Sequence, residues 1–309
     1  MKIPILFIIF NRLDTAKKVF EAIRNYRPSH LFVAADGARS EKQGEAAVCE
    51  EVRSWVLQHI DWDCEIKTLF QEKNLGCGEA PAKAITWFFE QVEEGIVLED
   101  DCLPHPDFFL FCEKLLPYYR TNNAISIISG CNFDKANEYS TDDSYFYSVF
   151  PYTWGWASWR RNWQNYDYNL TEWKSIKSKK FLRRLFSEKK YQQPWVETFN
   201  SLSHTGKKDI WDFQFFFQCF KRKQLSIVPN VNLISNIGCN ENGTHTLNAD
   251  NPKANIPLQS MPFPLKHPQR FERNYGYDEA LQKMNYGEVE QVSLFKMVKR
   301  FVKRIIHHR

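Results

Sequence analysis

The chain has no run of the ~20 apolar residues that a membrane-spanning helix requires. Among its eight cysteines no two form a Cys-x-x-Cys pair, which removes zinc knuckles and dithiol redox centres. No Gly-x-x-x-x-Gly-Lys-Ser/Thr loop is present. Gly76-Cys77-Gly78 lacks the third glycine of a dinucleotide fingerprint, with Pro81 in its place. His-Glu-x-x-His and Gly-x-Ser-x-Gly are missing as well. Phosphate-loop ATP hydrolysis, nicotinamide chemistry and α/β-hydrolase work therefore lose support. There is no internal repeat and no low-complexity tract. The opening Met1–Phe10 imitates a short signal core, but no small-residue cleavage site follows it, so it reads as a first strand. Scattered thiols with no secretory signal suit a reducing cytosol.

What is present is an ordinary globular composition, with 43% hydrophobic and 25% charged residues over 309 positions. Aromatic content is high at 16%. Trp154, Trp156, Trp159, Trp163, Trp173, Trp195 and Trp211 crowd the second half. They suit either core packing or an aromatic-walled cleft for flat rings. The net charge of +4 is uneven. Six of the 41 Lys and Arg (Lys296, Lys299, Arg300, Lys303, Arg304, Arg309) lie beyond the last acid, Glu290, leaving 35 bases against 37 acids. A nucleic-acid partner would call for basic residues spread over the fold, so none is expected. Leu294, Val298, Phe301 and Ile305 give that tail an apolar stripe opposite its basic face. Such a helix reads as an anchor on an anionic membrane surface, or as one docked on its own domain or a partner.

Strands at Ile3–Phe10, Leu31–Ala35, Cys64–Phe70, Gly95–Glu99 and Ala124–Ser129 alternate with helices at Thr15–Tyr26, Ala46–His59, Ala82–Val92 and Pro106–Tyr119. Asp14 is the expected cap of the first helix. Alternation at this spacing predicts an α/β fold: a doubly wound, mainly parallel, Rossmann-like sheet. Residues 1–131 form its ligand-binding half, 132–275 a less regular half of the same domain, and 276–309 a helical basic tail. In the second half a strand over Tyr145–Phe150, a helical insert over Ser175–Lys190 and a helix over Trp211–Lys221 are expected, with Gly238 opening a lid or surface arm.

Gly95-Ile96-Val97-Leu98 runs into Glu99-Asp100-Asp101. Open α/β sheets bind ligands at the carboxyl ends of their strands, so three acids at a strand tip stand where a ligand would. They are either a solvated turn or a site for a hard divalent cation, Mn²⁺ or Mg²⁺.

The order Ile9-Phe10-Asn11-Arg12, Ala35-Asp36-Gly37, Leu98 through Phe109, Trp154 through Trp159 and Trp211-Asp212 resembles an A-type-fold nucleotide-sugar glycosyltransferase. The likeness is to bacterial family-2-like members and, more distantly, to the N-acetylglucosaminyltransferase I group. It spans about residues 3–240. It implies a metal-dependent, inverting transfer from a UDP-sugar donor to a glycan or lipid-linked saccharide acceptor, in cell-surface polysaccharide synthesis on the cytoplasmic face of the membrane. Asn11, Arg12 and Asp36 would hold the nucleotide, with Asp36 accepting from the uracil imide and Arg12 donating to a carbonyl. Asp101 would ligate the metal, Asp100 would contact ribose and metal water, and Glu99 would support them. Asp212 would be the base, with Asp209 or Glu197 as substitutes. His245 would be a late metal ligand or a plain loop histidine. Trp154 and Trp156 would wall a sugar pocket. The rivals are a sugar-phosphate nucleotidyltransferase, which shares sheet and metal, and a non-catalytic membrane-surface adaptor.

Overall fold

The structure is a computed structural model that describes residues 2–176, 180–204, 209–238 and 253–286. The first half alternates as the sequence demands: β1 (Ile5–Ile9), α1 (Leu13–Tyr26), β2 (His30–Ala35), α2 (Glu45–Gln58), β3 (Glu65–Phe70), α3 (Gly76–Gln91) and β4 (Glu94–Glu99). A short β5 (Cys102–Pro104) leads into α4 (Pro106–Tyr119) and β6 (Ile125–Ser129). Then come β7 (Tyr145–Ser148), β8 (Trp156–Trp159), α5 (Arg160–Trp163), α6 (Thr171–Ser175), α7 (Lys180–Leu185), α8 (Lys189–His204), α9 (Asp212–Arg222), β9 (Leu225–Pro229), β10 (Ile234–Asn236) and α10 (Tyr275–Tyr286).

Eight strands form one sheet in the order β3-β2-β1-β4-β8-β6-β9-β7. All are parallel except β8 and β7, which run against their neighbours. The fold is thus α/β, doubly wound and mostly parallel. Alternating residues face opposite layers, as a period of two requires. Ile5, Phe7, Ile9, Val33 and Leu98 join the core cluster that includes α1, α2 and α4, while Leu6, Phe32, Val97 and Trp156 pack with residues of α3 and α9. Strand order reverses between β1 and β4: the chain steps outward from β1 to β3, crosses back through α3, and returns at β4 on the other side of β1. Such a switch point opens a crevice beyond the strands' carboxyl ends.

Three local expectations are corrected. The first helix begins at Leu13, with Arg12 at its N-cap and no side-chain cap bond; Asp14 lies in the first turn, where its charge favours the dipole. The third helix begins at Gly76, not Ala82, and Asp36 accepts from backbone N–H groups at its start. Over Ser175–Lys190 the described residues break into the end of α6, the short α7 and the start of α8. Pro106 does open α4, with His105 Nδ1 accepting from the Asp107 N–H at 3.2 Å. No helix among the described residues is long and apolar enough to cross a membrane. The basic stripe of the tail lies outside them.

Candidate active site

Two loops meet at the switch point. The backbone N–H of Phe10, just past β1, donates to Asp100 Oδ2 at 3.2 Å. Arg12 spans both acids beyond β4: one terminal nitrogen pairs with Asp100 Oδ1, and Nη1 lies 2.9 Å from Asp101 Oδ2. Asp100 and Asp101 are buried and Arg12 is partly so. Burial disfavours the guanidinium's charge, but the two carboxylates more than restore it and its pKa is raised. The acids outnumber it. Burial, then Asp101 and Asp100, push Glu99 up to about 8. Burial likewise carries Asp100 up to about 6 against the pull of Arg12. Excess negative charge held in place by the fold is the condition that favours a divalent cation. Among the described residues no group of three or more His, Cys, Asp or Glu forms a ready-made metal cage.

A second strip of chain covers this cluster. Strand β10 pairs antiparallel with β5, setting Asn236 opposite Cys102. The Ile237 N–H then donates to the Asp101 carbonyl at 2.8 Å. Gly238 follows, so close that a Cβ there would stand 2.2 Å from Asp101 Oδ2 and 2.6 Å from Arg12 Nη1. Only glycine lets the backbone pass at that distance.

Several expected contacts are reassigned. Asp36 is committed to the chain itself. Its Oδ1 accepts from the N–H groups of Gly37 and Leu75, both at 2.9 Å, and its Oδ2 from Gly76 N–H and Asn74 Nδ2, also at 2.9 Å. With both oxygens so occupied, the carboxylate ties β2 to the start of α3 and does not present itself to a base. Arg12 faces the acids, not a base carbonyl. Asn11 donates to Glu45 Oε1 at 2.9 Å, and Glu45 in turn pairs with Arg39. Trp156 does not wall a pocket. It is fully buried in the central strand β8, among Phe89, Trp163, Trp211 and Phe215. Trp154 lies before the strand, past Gly155 with its positive φ, packs edge-on to Phe133 in the other core layer and is partly exposed. His245 lies outside the described residues. Asp209 and Glu197 are exposed, and neither lines the cavity described next.

The chain from Tyr152 to Trp154 lies just beyond the last pairing of β8, Val97 with Trp156. A cavity of about 190 Å³ opens there, lined by Tyr152, Thr153, Trp154, Asp212, Phe213, Phe216, Lys253, Asn285 and Tyr286. Asp212 begins α9, and its Oδ1 accepts from the Phe213 N–H at 2.8 Å. Its charge is also felt at Glu99 and Lys253, which joins cavity and acid cluster into one electrostatic unit. Lys253 donates to the Tyr152 hydroxyl at 3.0 Å and to Asn285 Oδ1. Sequence reasoning missed Lys253, Tyr152 and Asn285. They stand far apart in the chain, and no local spacing marks them. Gly238 was visible only as the first residue of an irregular arm.

No family model and no curated protein matches the chain. Solved structures do. HddC from Yersinia pseudotuberculosis is similar at 8% identity and a TM-score of 0.33, covering 53% of this chain and 80% of that one. The same protein complexed with GMP-PN gives 9% and 0.32, with the same coverage. An inositol-1-phosphate CTP transferase from T. maritima gives 11% and 0.40, covering 80% of this chain and 93% of that one. The resemblance to A-type glycosyltransferases is corrected accordingly. The matched structures carry the names of other proteins, one of them a CTP transferase, and no matching family supplies a sugar-transferring relative. Likeness at this level carries no argument about function, and the functional reading rests on the site's own geometry.

Proposed function

We propose that the crevice beyond β1 and β4 belongs to a nucleotidyl-transferring enzyme. It would join the α-phosphate of a nucleoside triphosphate to a phosphorylated acceptor and release pyrophosphate. One observation carries this reading. The guanidinium of Arg12 lies between Asp100 and Asp101 at the topological switch point, beside a cavity that holds a second cation, Lys253. Cations at both ends of one site suit two anionic reactants. The switch point is where doubly wound sheets take nucleotides.

The donor set fits a divalent cation. Two carboxylates converge on a single cationic group and exceed its charge. Asp100 and Asp101 would hold Mg²⁺ or Mn²⁺, which when bound neutralises charge on the phosphates. Arg12 carries a planar fork of donors that suits phosphate as well as carboxylate. An oxygen of the acceptor phosphate forms the new bond to the α-phosphorus. The bond from that phosphorus to its leaving oxygen breaks, and the electron pair departs with pyrophosphate. A phosphate monoester has its second pKa near ~6, so it attacks already ionised and no general base is needed. Asp212 is therefore read as an acceptor for acceptor-substrate hydroxyls, in place of the base role expected from the sequence. Nothing in this reading requires a membrane or a saccharide polymer.

The test is direct. The full-length protein is incubated with Mg²⁺, a hexose 1-phosphate and each nucleoside triphosphate in turn, and pyrophosphate is measured. Release that depends on the hexose phosphate is expected. It should fall by roughly a hundredfold in Asp101→Asn, the scale of losing one electrostatic contact to developing charge. No pyrophosphate from any triphosphate, or a nucleoside diphosphate released from a nucleotide sugar in its place, overturns the reading.

A further inference from the structure

The cavity beside the acid cluster has a composition that the nucleotide does not explain. Its walls are aromatic: Tyr152, Trp154, Phe213, Phe216 and Tyr286. Its polar groups are few and specific, namely a carboxylate at Asp212, an amide at Asn285 and the ammonium of Lys253. At about 190 Å³ it falls short of the ~300–1,000 Å³ of drug-sized sites, so it suits one ring and not an oligosaccharide. Flat aromatic faces pack against the apolar faces of a pyranose, while a carboxylate and an amide serve its hydroxyls.

Lys253 is the unusual member. A partly buried ammonium is costly unless it has partners. This one lies over the ring of Tyr152, 4.6 Å from its centroid, and donates to the Tyr152 hydroxyl and the Asn285 side chain. The charge of Asp212 is felt there as well. We propose that this cavity is the subsite for the second substrate, a monosaccharide phosphate, and that Lys253 is the specificity-determining residue that recognises its anionic group. This rests on the nucleotidyl-transfer reading and names the acceptor class for it. The ring would lie against Trp154 and Phe216, its phosphate toward Lys253 and its hydroxyls toward Asp212 and Asn285.

A pH signature accompanies this arrangement. Burial lowers Lys253 to about 8, with the Asp212 charge opposing. The other groups facing it are the Tyr152 and Tyr286 phenols and the Cys131 thiol. All three are pushed upward by burial, so they stay neutral where Lys253 titrates. A phosphate ester remains fully ionised there. Affinity should fall as pH rises through about 8, because the ammonium loses its charge.

The experiment omits nucleotide and metal. The full-length protein is titrated calorimetrically with glucose 1-phosphate, galactose 1-phosphate, methyl α-glucopyranoside and inorganic phosphate. At least one hexose phosphate is expected to bind roughly tenfold more tightly than either the uncharged glycoside or inorganic phosphate, the glycoside lacking the charge-assisted contact and the phosphate the ring that packs on the aromatic walls. Lys253→Gln should lose that advantage. Lys253→Arg should keep it and abolish the fall in affinity near pH 8, since arginine does not deprotonate there. Thermal melts confirm folding, and if Lys253→Gln does not fold, the pH profiles of wild type and Lys253→Arg decide the matter. Hexose phosphate no tighter than inorganic phosphate, equal binding by wild type and Lys253→Gln, or identical pH profiles for wild type and Lys253→Arg overturns the subsite. With nucleotide absent, a negative pyrophosphate assay leaves the binding result standing. Turnover without Lys253-dependent binding sinks the subsite alone.

Discussion

The loops around β1 and β2 and the aromatic second half handle charge in opposite ways. In the first region an acid is met by a partner. Arg39, through hydrogen bonds above all, holds Glu45 down to about 2. Asp36 gathers backbone N–H groups at the start of α3, which oppose the upward push of its burial without cancelling it. In the second region burial dominates. Asp278 on α10 is raised to about 6 although it lies 2.9 Å from Arg273 Nε and accepts from Ser148 Oγ. Lys253 is lowered to about 8. The difference follows from the scaffold. Carboxyl ends of parallel strands, helix starts and turns supply N–H groups and room for long cations, whereas packed rings exclude water and offer few donors. The cluster of Glu99, Asp100 and Asp101 has a partner in Arg12 and is still pushed upward, because one guanidinium cannot balance three acids. It is the place in the first half where charge remains to be satisfied.

Two tryptophans two residues apart give the strongest way to break this comparison. Trp156→Ala should cost about 3–5 kcal/mol in urea unfolding, the range for truncating a buried large ring. Trp154→Ala, at the cavity, should cost well under that and instead weaken hexose phosphate binding. Equal destabilisation would erase the distinction between core and cavity. Next in size is Arg12→Ala. It strands two carboxylates that a guanidinium had neutralised and should destabilise by about 3 kcal/mol. Millimolar Mn²⁺ should recover part of that loss in a denaturation curve, and no recovery would argue against a cation between Asp100 and Asp101.

The pH dependence of stability should carry opposite signs in the two regions. The folded-state pKa of Glu45 is lowered from 4.5, so its stabilisation is present above that pH and is lost on acidification toward about 2. Asp278 is raised from 3.8 to about 6, so its contribution is most favourable below 3.8 and declines as pH rises toward 6. Each is on the order of 3 kcal/mol. Glu45→Gln should flatten the acid limb of a stability profile, and Asp278→Asn should flatten the decline between about 4 and 6. The smallest effect is expected at Gly37. A Cβ there would lie 2.4 Å from the Lys73 carbonyl carbon, so Gly37→Ala should cost about 1–3 kcal/mol through a backbone shift. Its unfolding midpoint measures this, and an unchanged midpoint would mean that the loop carrying Asp36 yields freely.

The alternation of short apolar runs with amphipathic stretches was enough to read the parallel half. Ile5–Ile9, His30–Ala35, Glu94–Glu99 and Ile125–Ser129 lie where the pattern placed them, because a strand buried on both faces must be largely apolar, while the exposed edge strand Glu65–Phe70 was legible from its place between two helices. The acid triplet at a strand tip was legible for the same reason: charge cannot continue inside a buried strand. The sequence could not show that Asp36 turns inward onto α3, since a carboxylate before glycine looks the same whether it meets a ligand or its own backbone. Nor could it show that Trp154-Gly155-Trp156 is the threshold of a central antiparallel strand, which makes one ring wall and the other core. Local pattern determined the elements, their order and the charge at β4, as hydrophobic burial acts over a few neighbouring residues. Tertiary structure alone decided which groups share a site, setting Arg12 between Asp100 and Asp101, Gly238 upon them, and Lys253 in a cavity with Asp212, because such contacts join residues far beyond the reach of local pattern once the sheet has closed.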